Sequence, residues 1–142
     1  MRFVLDTDHI SILQRQAGPE FVALSARIAQ QQRSDLAFSL VSFHEQVLGC
    51  HTYLSRARTS ADMVRGYDML SRVLKDFGGA QVLPFDAMAA AAFDGLVARR
   101  VRLATMDLRI ASIALSRGLT VLTRNTRDFA RVPGLVTEDW TV

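Results

Sequence analysis

The chain has 142 residues, 49% of them apolar and 22% charged, with a formal net charge of +3 and one cysteine, Cys50. That size and balance suit a single globular domain spanning residues 1–142 and exclude a disordered or fibrous chain. A lone cysteine excludes an internal disulfide and a cysteine-rich zinc site, and no apolar run approaches the roughly 20 residues of a membrane helix.

Residues 2–5, RFVL, form a short apolar run that ends at Asp6 and reads as a buried strand. An acid this early interrupts any apolar signal-peptide stretch, so a cytoplasmic location without a membrane partner is the expectation. Helical sequence follows from about Asp8 and again from Pro19, a residue suited to a helix's first turn. Residues 36–41, LAFSLV, predict a second strand. Ser42 then opens a helix that runs to about Ser55, with Glu45 three residues on. Between Ala61 and Phe77 the residues Met63, Tyr67, Leu70, Val73, Leu74 and Phe77 keep helical spacing, and Gly78-Gly79 end the run. Residues 81–85, QVLPF, predict a short strand, and Asp86 caps an alanine-rich helix to about Arg99. Asp107 opens a further helix that Gly118 ends. Residues 119–123, LTVLT, are the most strand-like run in the chain, and a last short strand falls near Leu135–Thr137.

Strands alternating with helices imply βαβ units, hence an α/β fold with a mostly parallel sheet covered on both faces. In such sheets ligands bind beyond the carboxyl ends of the strands, where strand order reverses. Asp6 follows the first strand directly, and Arg124, Asn125 and Asp128 follow the last strong one. Charge is also unevenly spread. The segment from Arg99 to Arg131 holds eight arginines against Asp107 and Asp128, a local +6, which leaves the remainder at −3. A basic segment on a near-neutral body suits a polyanion, or is simply a solvated arginine-rich surface.

Four acids stand out, and each has a plainer reading. Asp6 ends a strand expected to be buried, where a carboxylate is costly without a cation or several donors; it could equally cap the next helix. Glu45 lies in Ser42-x-x-Glu45, the pattern of a capping box. Asp107 at a helix start gains from the helix dipole. Asp128, flanked by Arg124, Arg127 and Arg131, could be paired on the surface, and Asn125 could be a turn residue. Taken together, however, these oxygen donors fall at strand ends or helix starts that the fold gathers. Carboxylates crowded in one pocket repel and call for a cation; hard oxygen ligands suit Mg²⁺, which promotes phosphodiester hydrolysis. Arg124 and Arg127 would hold the phosphates of such a substrate, with Thr7 a further candidate contact to it. The three histidines lack H-E-x-x-H spacing, and neither a G-x-S-x-G elbow nor a P-loop is present.

The stretches FVLDTDHIS, SFHEQVLG, MDLRIASIALSRGLTVLTRNTRDF and PGLVTEDW together resemble the PIN-domain ribonucleases, specifically the VapC-type toxins of toxin–antitoxin pairs. The resemblance covers nearly the whole chain. It implies a small α/β/α sandwich with a parallel sheet that cleaves RNA with Mg²⁺ or Mn²⁺. By it, Asp6 and Asp107 would be direct metal ligands, and Glu45 would help bind metal and position or activate water. Asn125 stands where many members have Asp, so either it or Asp128 would fill the fourth ligand place. Asp8 stands where many members have Asn, a variation expected to matter little. The resemblance also implies an antitoxin partner whose tail would lie across the acidic groove, and a homodimer.

Two other readings fit parts of the chain. D-x-D after a first strand also resembles haloacid-dehalogenase phosphatases, with Asp6 as nucleophile and Asp8 as acid/base, but Lys75 is the only lysine available. A non-catalytic RNA-binding PIN-like domain would account for Asn125.

Overall fold

A computed structural model describes residues 1–142. In chain order the elements are β1 (Phe3–Leu5), α1 (Thr7–Arg15), α2 (Pro19–Ala29), a 3-10 turn (Arg33–Asp35), β2 (Leu36–Ser39), α3 (Leu40–Ser55), α4 (Ser60–Gly78), β3 (Val82–Leu83), α5 (Ala87–Ala98), α6 (Thr105–Arg117), β4 (Thr120–Leu122), α7 (Thr126–Phe129) and β5 (Thr137–Glu138). All four strand pairings are parallel, and the sheet order is β3-β2-β1-β4-β5.

Period-two alternation sorts the strand residues between two cores. Val4, Ala37 and Val121 face α5 and α6 and join a cluster with Leu96, Ile110 and Ile113. Phe3, Leu5 and Leu122 face the other way and pack with Ile10, Leu24, Val73 and Phe77 from α1, α2 and α4. Helices therefore cover both faces, giving the expected three-layer α/β/α sandwich. No helix is long and apolar enough to cross a membrane.

Several boundaries differ from the sequence reading. The run 36–41 splits at Ser39, with Leu40 and Val41 already helical, because Ser39 Oγ accepts the Ser42 N–H and caps α3. Ser42 thus lies inside the helix, and Ser42-x-x-Glu45 is not a capping box; Glu45 is left free to point elsewhere. Similarly, α6 starts two residues earlier than the sequence reading, at Thr105 with Ala104 as its uncapped N-terminus, and Asp107 stands in its first turn, where an acid gains from the dipole. Asp6 does cap α1, so that helix begins at Thr7. Gly118 ends α6 in the left-handed region at φ 65°, a conformation that a side chain disfavours.

Candidate active site

The strand order reverses between β1 and β4, which lie side by side with Leu5 opposite Leu122. A crevice opens beyond their carboxyl ends at such a switch point. Asp6 leaves β1 there and is held in place by its own backbone, whose N–H donates to Leu122 O at 2.8 Å. Its side chain is 6% exposed. Oδ1 accepts the Thr7 N–H at 2.7 Å, and Oδ2 accepts the Thr123 hydroxyl at 2.8 Å. Both readings of Asp6 therefore meet in one residue, a cap and a buried carboxylate.

Glu45 approaches from α3. Its Oε1 accepts the Thr7 hydroxyl at 2.8 Å, and Thr7 Oγ1 lies 2.9 Å from Ser42 Oγ. Thr7 has one hydroxyl proton, and the carboxylate is the stronger acceptor, so Ser42 donates to Thr7. Ser39 Oγ, 3.4 Å from Ser42 Oγ, can supply the next proton. Ser39 and Ser42 are fully buried. A chain of hydroxyls thus runs Ser39, Ser42, Thr7 and ends on Glu45, fixing one oxygen of that carboxylate and leaving Oε2 available.

Asp107 arrives from the first turn of α6, which packs against α3. Asn125 follows β4 as the residue before α7, and Asp128 lies within α7, where the Asn125 side-chain amide donates to Asp128 Oδ2 at 3.1 Å. Asp128 Oδ1 also sits 3.6 Å from Arg131, an exposed pairing. The Arg124 and Arg127 side chains are exposed beside Asn125 and Asp128.

Electrostatics show that the acids form one group. Burial, followed by the charge of Asp8, lifts the Asp6 carboxyl to about 7; Thr123 and Thr7 oppose the shift and Asp107 adds to it. Asp107 is raised too, by burial first and then by Glu45, Asp128 and Asp8, with no hydrogen bond to offset it. The acids singled out from sequence are thus brought together beyond the carboxyl ends of β1 and β4. Asp8 belongs with them, and so do Thr123, Ser39 and Ser42, which the sequence reading missed. Small hydroxyl residues carry no periodic signal, though Thr123 was findable as the residue ending the strongest strand.

The donor set is carboxylate, hydroxyl and amide oxygen. No three of the His, Cys, Asp and Glu side chains stand close enough together to hold a metal ion by themselves. Hard oxygens of this kind are what Mg²⁺ takes as ligands, typically one or two carboxylates beside several waters. The phosphatase arrangement finds no support: Lys75, the one lysine it could use, is exposed near the end of α4.

An acidic cluster at the switch point of a parallel α/β/α sandwich is the arrangement that the resemblance to PIN-domain proteins implies. No protein-family model matches the chain. It is 33% identical to the tRNA(fMet)-specific endonuclease VapC of Shigella flexneri and 31% identical to that of Salmonella typhimurium, in each case over 99% of this chain and 98% of the relative. Its fold is similar to that of the DNA-bound VapBC crystal structure from Salmonella typhimurium, with a TM-score of 0.76 and 26% identity over 99% of this chain and 98% of that one. The chain belongs to the VapC family of PIN-domain endonucleases.

Proposed function

We propose that this chain is a Mg²⁺-dependent endoribonuclease, with Mn²⁺ as a substitute, and the toxin of a toxin–antitoxin pair. The observation that carries the proposal is the meeting of Asp6, Glu45, Asp107 and Asp128 beyond the carboxyl ends of β1 and β4, where burial and mutual repulsion raise Asp6 and Asp107. A divalent cation relieves such repulsion. Asp6 and Asp107 would hold the ion directly, with Glu45 and the Asn125–Asp128 pair completing the set. When bound, such an ion acidifies water and neutralises charge developing on the phosphate.

The protein's own groups do the rest. Glu45, fixed through Oε1 by Thr7, accepts the attacking water's hydrogen bond on Oε2. As the water oxygen bonds to phosphorus, its proton passes to that carboxylate, the bond from phosphorus to the leaving oxygen breaks, and the leaving oxygen takes up a proton from solvent to depart as a hydroxyl. Arg124 and Arg127 hold the flanking phosphates.

The relatives' substrate makes initiator tRNA the first RNA to test. The VapBC neighbour supports an antitoxin partner for this chain, and a homodimer is the assembly expected of the toxin. The decisive experiment measures cleavage of initiator tRNA and mixed cellular RNA with Mg²⁺, with EDTA, and by folded Asp6→Asn. Cleavage is expected only for wild type with metal. Full activity in chelator, or from the Asn variant, overturns the proposal; RNA binding without cleavage in any condition supports the non-catalytic reading instead.

A further inference from the structure

Behind the carboxylates lies a second network that the cleavage chemistry does not use. His9, in the first turn of α1, is fully buried. Its Nε2 accepts the Trp140 N–H at 3.2 Å. The ring proton therefore sits on Nδ1, which donates to Asp8 Oδ1 at 2.8 Å. Asp139 Oδ1 is 3.8 Å from Nε2, but it accepts the Thr141 N–H at 2.8 Å and the Thr141 hydroxyl at 2.6 Å. The second oxygen of Asp8 accepts the Arg124 N–H at 2.9 Å and lies 3.4 Å from Thr123 Oγ1.

The anchor of this chain is rigid. Trp140 is 1% exposed, meets Phe3 edge-on at 4.7 Å, and lies under the Arg27 guanidinium at 4.9 Å. The far end is Arg124, which precedes Asn125 and the helix α7 that carries Asp128. The chemistry also explains the residue types. Two N–H donors from opposite directions converge on the two oxygens of Asp8. An amide has only one acceptor oxygen and would face one of those donors with its own NH₂. The carboxylate is kept although its charge adds to the repulsion within the acidic cluster.

We propose that Asp8 and His9 form a positioning clamp, in which His9 aims Asp8 through Nδ1–H and Asp8 holds the β4–α7 turn through the Arg124 N–H. The clamp sets Asn125 and the neighbouring Asp128 beside Asp107, and its catalytic consequence rests on the active-site reading above. Asp8 is thereby a positioning residue, and its difference from Asn is not minor.

Two substitutions at His9 separate the ring's two bonds. His9→Asn places an N–H where Nδ1 stood, which keeps the link to Asp8 and abandons Trp140. His9→Gln reaches the Nε2 position, which keeps an acceptor for Trp140 and removes the donor to Asp8. Both variants should melt lower than wild type. Below their melting points, only His9→Gln should lose kcat, on the order of tenfold to a hundredfold as expected for misplaced catalytic groups. Only His9→Gln should lose hydrogen-exchange protection at the Arg124 amide. In wild type, nitrogen NMR should show His9 protonated on Nδ1 and not on Nε2. Equal kcat losses in the two variants, wild-type kcat and Arg124 protection in His9→Gln, or an Nε2-protonated ring would overturn the clamp. If wild type cleaves no RNA, the active-site reading fails by itself, while the ring tautomer and the Arg124 amide still decide the clamp.

Discussion

Neutralising Asp6 should make the metal-free protein more stable, and increasingly so as pH rises. The unfolded carboxyl titrates at 3.8 and the folded one at about 7. Between those values the folded state binds more protons than the unfolded state, so stability falls as pH increases through the window and levels off above it. At 1.36 kcal/mol per pH unit the full penalty is about 4 kcal/mol, of which about 3 kcal/mol accrues between pH 5 and pH 8. Asp6→Asn removes the penalty and keeps most of the cap, since Asn serves nearly as well there. The Thr123 hydroxyl can turn to accept from the new amide. Allowing for the lost charge-assisted bonds, the net gain at pH 8 is roughly 2–3 kcal/mol, a rise in Tm of roughly 6–10 °C for a chain of this size. Melting curves in EDTA at pH 5 and pH 8 should show the variant's advantage growing with pH. Added Mg²⁺ should raise wild type by about 2.7 kcal/mol at a hundredfold excess over Kd and the variant by clearly less. A variant that melts below wild type at both pH values, and gains as much from Mg²⁺, would refute the account of Asp6 as a strained metal ligand.

Thr7→Val keeps the shape of the side chain but cuts the hydroxyl link to Glu45; kcat should fall by about tenfold or more, with near-wild-type melting, and single-turnover cleavage assays would read it. Arg124→Ala and Arg127→Ala should each weaken RNA binding and lower the salt slope by roughly 0.7, the single-strand value for one lost phosphate contact. An unchanged slope in both would assign these arginines away from the substrate. Gly66→Ala tests the seam between α3 and α4. A Cβ there would collide with Leu54 Cδ2 and lie 2.7 Å from Leu54 Cγ, so overpacking should cost about 1–3 kcal/mol, measurable by urea unfolding, with cleavage retained in the folded fraction.

The sequence by itself determined the class of fold and the identity of the acids. Apolar runs such as FVL and TVL, separated by amphipathic helices of known period, can only bury their apolar residues as a parallel sheet between helical layers. Asp6 and Asp107 were legible because a carboxylate beside an apolar element is costly wherever it lies. Tertiary structure alone decided what those residues do to one another. Strands of two to four residues carry too little pattern to encode their neighbours, so the order β3-β2-β1-β4-β5, and with it the switch point between β1 and β4, was not readable. The apolar run LAFSLV hid the boundary at Ser39, because a short apolar run fits a strand and a buried helix start equally well. That one shift turned Glu45 from a helix cap into an acid held by Thr7. Likewise Asp8 and His9 are adjacent in sequence, yet their partners, Arg124 and Trp140, lie more than a hundred residues along the chain. Hydrogen bonds of that span leave no local periodicity, and only the folded sheet brings their ends together.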